Sequence, residues 1–230
     1  MTPLQKAWEH LKDSDPRYLG GSTGAVLNTL PSGKKVVVKR GAHPKHITNE
    51  YDFNRYLNEL GVGVPNATLE SDDSGQPVML TDFERGARSP SLSNTQDINR
   101  LQRDFVPHAA IANWDVLGMG LDNVLIRPDG TPTYVDVGGS GPYRAQGADK
   151  GHAWASSVGE LNTMRGIGMR PNDPPFAQDV YGNMGDKELG QSYDAHGGSD
   201  AMEQALKVLR DKQTRNTLNE RIQDISRRVA

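Results

Sequence analysis

At 230 residues, with 35% hydrophobic and 24% charged side chains, the chain is long enough to bury a core and too apolar to stay unfolded. A formal net charge of −3 exerts no global pull toward nucleic acid or an anionic membrane, and no local basic patch takes its place. The absence of cysteine excludes disulfides, thiolate nucleophiles and cysteine-bound zinc in one step, and fits a reducing compartment.

The opening MTPLQKAWEHLKDSDP is an amphipathic, charged helix candidate without the apolar centre of a signal peptide, and no later run approaches membrane-spanning length. Synthesis in the cytoplasm is expected, with no membrane partner and no strong sign of an oligomer. Glycines then crowd Gly20-Gly21-Ser22-Thr23-Gly24, and residues 24 to 41 read as a hairpin, AVLNT and KKVVVKR around Pro31-Ser32-Gly33. A turn centred near Ser32 sets Lys39 across from about Ala25. Residues 44 to 60 carry Ile47, Tyr51, Tyr56, Leu57 and Leu60 at near-helical intervals, with Gly61 as a stop. PNATLE and QPVMLTDF, separated by SDDSG, read as two further strands, so the order to residue 83 is strand, strand, helix, strand, strand.

ERGARSPSLSNT, rich in Ser with Gly and Pro, marks a boundary between two structured halves. A helix follows with Ile98, Leu101 and Phe105 on one face, and Pro107 either kinks it or begins a second one. Residues 123 to 137 form another hairpin, NVLI and TYVDV around RPDGTP. Most of 138 to 198 is Gly- and Pro-rich with only short regular pieces, and 199 to 229 reads as two amphipathic helices with a break near Thr214.

Three places carry chemistry. Lys39, inside a valine run, needs a negative partner, and a polyphosphate approached by the backbone N–H groups of Gly20 to Gly24 supplies one. Asn123 and Asp136 lie symmetrically about the Asp129-Gly130 turn, which brings an amide oxygen and a carboxylate together at the open end of the hairpin. Such hard oxygen ligands suit Mg²⁺ shared with substrate phosphates. Asp115, in NWDVLGMGLDN, stands where a general base would orient a hydroxyl nucleophile. Trp114 beside it reads as a core anchor. Arg144 and Gln146 follow the metal pair, where an acceptor would be placed. His43 and His46 read as surface residues, and Arg210, Arg221 and their neighbours in the last helices as a charge-laced exposed face.

The order of Gly-rich turn, strand lysine in VVVK, helix glutamate in NEYDF, a hinge after VMLTDF, loop aspartate, Asn opening a hairpin and Asp136-Val137-Gly138 closing it resembles the protein-kinase-like fold, over residues 20 to about 140. The resemblance is nearest to reduced bacterial and phage-associated kinase-like proteins and minimal bacterial effector kinases. It implies an α/β (α+β), two-lobed fold: a small antiparallel-sheet N-lobe over residues 1–84 and a reduced helical C-lobe over 85–230. It further implies that ATP and Mg²⁺ are the cofactors, that Glu50 holds Lys39 while Lys39 holds the α- and β-phosphates, that the backbone of Asp82, Phe83, Glu84 and Arg85 meets adenine, and that Asn123 and Asp136 hold the metal. The implied activity is phosphoryl transfer to a protein Ser/Thr hydroxyl, compatible with delivery as an effector. A small-molecule kinase and a catalytically dead nucleotide-binding module are the alternatives. Leu19 stands in place of the first glycine of the usual loop, no His-Arg precedes Asp115, and eight steps separate Asp115 from Asn123 instead of five, so Asp122 competes for the role of base.

Overall fold

Thr2 starts the first helix through a reciprocal cap: its hydroxyl accepts from Gln5 N, and the Gln5 side chain accepts from Thr2 N. The computed structural model describes residues 1–20, 24–167 and 175–229. Helix α1 (Pro3–Glu9) is shorter than its amphipathic pattern suggests, because a 3-10 turn at Leu11–Asp13 redirects the chain into strand β1 (Asp15–Gly20). That strand was not expected. It lies at the sheet edge, where Pro16 forfeits no interior hydrogen bond.

The remaining strands β2 (Ala25–Thr29), β3 (Lys35–Lys39), β4 (Ala67–Ser71) and β5 (Pro77–Asp82) complete a five-stranded antiparallel sheet in the order β1-β2-β3-β5-β4. The β2–β3 register, Val26 against Val38 and Leu27 against Val37, centres the turn on Ser32 as expected. Gly33 closes it at φ +78°, the left-handed residue of a three-residue hairpin loop. Between β3 and β4 runs α2 (Pro44–Glu59), which the sequence pattern places to within one residue.

The helical part contains α3 (Thr95–Arg103), α4 (Phe105–Ala110), α5 (Glu160–Thr163), α6 (Pro175–Tyr181), α7 (Asp186–Asp194), α8 (Gly198–Ala205) and α9 (Lys212–Val229), with strands β6 (Val124–Ile126) and β7 (Pro132–Tyr134) forming a separate hairpin. The described part of the stretch from 138 to 197 holds helices of four, seven and nine residues, the short regular pieces that its Gly and Pro content suggests. The break between the last two helices falls before Lys212 and not at Thr214, because the Asp211 carboxylate accepts from Thr214 N and caps α9. The boundary segment after residue 84 is tied down: Arg88 exchanges backbone hydrogen bonds with Ile126 and grips buried Asp97 at 2.7 and 2.9 Å.

Two apolar cores result. Alternation along β3 and β5 sends Val36, Val38, Val78 and Leu80 toward Leu4 and Ala7 of α1. A larger core gathers the helices around β6 and β7, and it also takes in Phe53, Tyr56 and Leu57 of α2, all fully buried. Among the described residues, no helix is long and apolar enough to cross a membrane.

Candidate active site

Since Val36 and Val38 of β3 face the small core, the period of two turns Val37 and Lys39 to the opposite face, above the β6–β7 hairpin. Lys39 is buried, and its ammonium donates to Glu50 Oε1 at 2.6 Å and to the Val135 carbonyl at 2.8 Å, with Asp136 Oδ1 at 3.9 Å. The cation in the valine run thus has a carboxylate partner within the protein itself. Burial pulls the Lys39 pKa down, but the Asp136 and Glu50 carboxylates outweigh it and carry it above the ordinary value. Burial raises Glu50, against the pull of the Lys39 charge.

The second hairpin is displaced by one residue from the expected register. Val124 faces Tyr134, and Val135 N donates to Asn123 O, so Asn123 pairs with Val135 and Asp136 lies one step beyond. The cause is the turn: Pro128-Asp129-Gly130 is a three-residue loop with Gly130 at φ +86°, as at Gly33, and its centre is Asp129. Asp136 still reaches the cleft. Its Oδ1 accepts from Gly138 N at 3.0 Å, and its side chain is 37% exposed, leaving it open to a ligand. Space at Gly138 is tight: a Cβ there would lie 3.2 Å from Asp136 Oδ1, Glu50 Oε2 and His46 Nε2, so those side chains would have to give by a few tenths of an ångström.

Asn123 Nδ2 donates to the Asp115 carbonyl at 2.6 Å, which bridges the eight-step loop and fixes the amide so that its oxygen faces away from that carbonyl. Gly118, at φ +74°, takes up the longer chain, with its N–H bonded to Asp115 O. Asp115 is half-buried; burial raises its pKa, the Asn123 amide opposes, and the Asp136 and Asp122 charges add to the rise. Asp122 is exposed and accepts from Gly120 N.

One cavity of about 250 Å³ unites most of these groups: Lys39, Asp82, Phe83, Glu84, Asp122, Asn123 and Asp136, between apolar walls that include Ala25, Val37, Leu125 and Val135. Asp115 is not among its lining residues. The Asp82 side chain is held by Lys34 and Asn66, and Glu84 by Arg127, so both carboxylates already have partners. Phe83 is partly exposed under Lys35. Gly20 ends β1 opposite Ala25, and Gly24 has φ +72°, whereas Gly21, Ser22 and Thr23 lie outside the described residues.

The donor set fits Mg²⁺. Asp136 supplies a carboxylate and Asn123 an amide oxygen, and a magnesium ion commonly takes one or two protein oxygens, with phosphates and water filling its shell. No cluster of three or more His, Asp or Glu side chains forms a metal cage among the described residues.

Several contacts in and behind this cleft differ from what the sequence pattern suggests. His46 is fully buried, not on the surface: Nδ1 accepts from Ala42 N, so Nε2–H donates to the Gly138 carbonyl at 2.9 Å, and burial lowers its pKa. His43 caps α2 through Nδ1 and donates from Nε2 to Gly147 O. His43-Pro44 was a legible start signal, since proline favours the first helical position. Arg221 is also fully buried instead of lying on an exposed face; it donates to the carbonyls of Ala109, Ala110 and Ala155 and to Glu160. Arg210 pairs with Asp52 of α2. Trp114 is half-buried and no core residue; its Nε1 donates to Glu160 Oε1 at 2.8 Å, and exposed Arg144 stacks on its ring. Gln146 is exposed.

No family model matches this chain, and no curated protein does. Among solved structures, it is similar to the Helicobacter pylori proinflammatory kinase CtkA, with 14% identity, a TM-score of 0.55, and 94% of this chain and 92% of that one covered. LicA in complex with AMP matches at 10% identity and a TM-score of 0.43, covering 97% of this chain and 96% of that one. A pseudokinase in its apo form matches at 12% identity and a TM-score of 0.36, covering 97% and 92%. The likeness to CtkA, joined to the five-stranded antiparallel sheet and the helical part, shows a two-lobed protein-kinase-like fold.

Proposed function

We propose that the protein is an ATP- and Mg²⁺-dependent phosphotransferase with a protein serine or threonine hydroxyl as acceptor, and that residues 1–84 and 85–230 act as its two lobes. The observation that carries this reading is the single cavity in which Lys39, Asn123, Asp136 and the Asp82–Glu84 stretch meet. A nucleotide there would set its base between the apolar walls and against the backbone of residues 82 to 85. Lys39, held by Glu50, would bind the α- and β-phosphates. Asn123 and Asp136 would hold Mg²⁺, which supplies charge neutralisation on the phosphates when bound.

Asp115 would orient the acceptor hydroxyl and receive its proton while the hydroxyl oxygen bonds to the γ-phosphorus. The bond from that phosphorus to the bridging oxygen breaks, and ADP leaves. Catalysis then rests on positioning and charge stabilisation. The open surface around Asp115 supports a protein acceptor over a small one: Met119 is 74% exposed, and Asp122 and Arg144, which stacks on neighbouring Trp114, are exposed as well.

The eight-step spacing from Asp115 to Asn123 favours one second reading, a nucleotide-binding module without turnover. Incubation with radiolabelled ATP and Mg²⁺, alone, with lysate proteins and with pooled metabolites, separates the two. Label on a protein acceptor supports the kinase, label on a metabolite moves the acceptor class, and binding without transfer identifies the module.

A further inference from the structure

Lys150 lies in the segment after the metal pair, in the sequence Ala148-Asp149-Lys150-Gly151, and is 5% exposed. Its ammonium donates to three backbone carbonyls, Gly139 at 2.6 Å, Ala112 at 2.8 Å and Gly141 at 2.9 Å. An ammonium has three N–H groups, and each of these has its own acceptor. The Trp114 ring stands 4.7 Å from the same nitrogen.

These acceptors come from two places that the chemistry must keep together. Gly139 and Gly141 follow Asp136 directly, while Ala112 precedes Asp115 by three residues. Ala112 is held at φ +51°, a left-handed conformation that an alanine does not adopt without support. Its carbonyl accepts from both Lys150 and Trp114 N, so the turn that presents Trp114 and Asp115 is closed from two sides.

We propose that Lys150 is a positioning residue of the phosphoryl-transfer site, whose ammonium ties the Asp115 loop to the segment carrying Asp136 so that base and metal ligand keep one mutual geometry. The proposal rests on the reading of the site given above. It assigns the role to the charged form, because a neutral amine offers two N–H groups to three carbonyls. Glu160 faces Lys150 across Trp114, and Arg221 and Arg144 are the cations nearby; burial brings the Lys150 pKa down to about 7, with Glu160 opposing the fall and the two arginines adding to it.

The full chain is compared with Lys150→Met and Lys150→Arg by Mg-ATP binding, by turnover, and by amide exchange, expressed as protection after correction for intrinsic pH dependence. In Lys150→Met, Mg-ATP affinity stays within about threefold while turnover falls at least tenfold, and protection drops at residues 112–118 and 139–150 but not in α9; Lys150→Arg recovers part of the turnover. In the unmodified chain, protection of the same two stretches falls between about pH 6 and 9, and this arm stands even if the Met variant does not fold. A Met variant with unchanged turnover and protection, a loss of protection spread over the whole chain, or pH-independent protection in the unmodified chain overturns the proposal. Should the unmodified chain transfer no phosphate, the functional reading falls, while exchange still decides whether Lys150 holds the two segments.

Discussion

Lys39 and Glu50 meet at 2.6 Å with side chains only 7% and 2% exposed, one at the end of a sheet strand and the other in the middle of α2. The pair therefore exists without a nucleotide, and each charge helps compensate the other for leaving water, with Asp136 adding its charge on the Lys39 side.

Removing one partner strands the other. Lys39→Met should lower unfolding stability by about 3–5 kcal/mol, since a buried carboxylate is left unpaired. The double change Lys39→Met/Glu50→Leu should recover most of that loss while abolishing turnover. Urea unfolding of the three proteins checks this; a single mutant as stable as the parent would show that the pair is not buried as described.

Asp136→Asn should lower the melting temperature of the free protein only modestly, because its hydrogen bond to Gly138 N survives on the amide oxygen while the 3.9 Å charge contact with Lys39 is lost and Glu50 remains to pair that lysine. It should remove the added stabilisation by ATP that depends on Mg²⁺. Thermal shifts with ATP, with and without EDTA, read the effect; an ATP shift in the parent that ignores EDTA would exclude the metal assignment.

Asp115→Asn should cut turnover by roughly 10²–10⁴, the range for a lost acid–base group, with ATP affinity almost unaltered because Asp115 lies outside the cleft lining. Asp122→Asn should do much less. The reverse ranking transfers the role of base to Asp122, and two fully active variants would remove the loop from the mechanism.

The share of stability that the histidines contribute should peak near the ordinary histidine pKa of about 6.5. His196 places Nε2 3.0 Å from Asp104 Oδ1 and Nδ1 2.9 Å from Leu60 O, two acceptors that favour the doubly protonated ring. Burial opposes, but those partners raise its pKa, so its contribution is complete below the unfolded value and is lost as pH rises through the folded one. Burial lowers His46, and His108 to about 3, so their contributions are lost as pH falls below the unfolded value. A melting series of the parent and His196→Gln checks this: the parent's advantage over the variant should be largest on the acid side and shrink as pH rises through the folded His196 pKa, and an advantage that does not change with pH would exclude the assignment.

Local signals accounted for the first hairpin, the helix carrying Glu50 and the meeting of Asn123 with Asp136 at one hairpin end, because alternation, turn residues and a glycine stop all act within a few positions. The true register at Asn123 has a local signal too: Pro128-Asp129-Gly130 has the same Pro-X-Gly form as Pro31-Ser32-Gly33, and both make the same loop. Strand β1 was not legible. Its residues do not alternate, and its conformation is set by pairing with β2. Lys150, Arg221 and His46 share another cause. Each is a polar side chain that donates to backbone carbonyls outside its own element, and a carbonyl leaves no mark in the residue types that bear it.

The helix that carries Glu50 is rooted in the larger core by Phe53, Tyr56 and Leu57, and Arg210 clamps it at Asp52. Swinging it outward to part Glu50 from Lys39 would bring those three side chains into water, at about 1.5–3 kcal/mol each. Fewer than about one molecule in a thousand would then be found in that posture. Parting Glu50 from Lys39 by moving this helix would therefore cost most of what roots it in the larger core, and the helix holds the pair closed as a built-in part of the cleft.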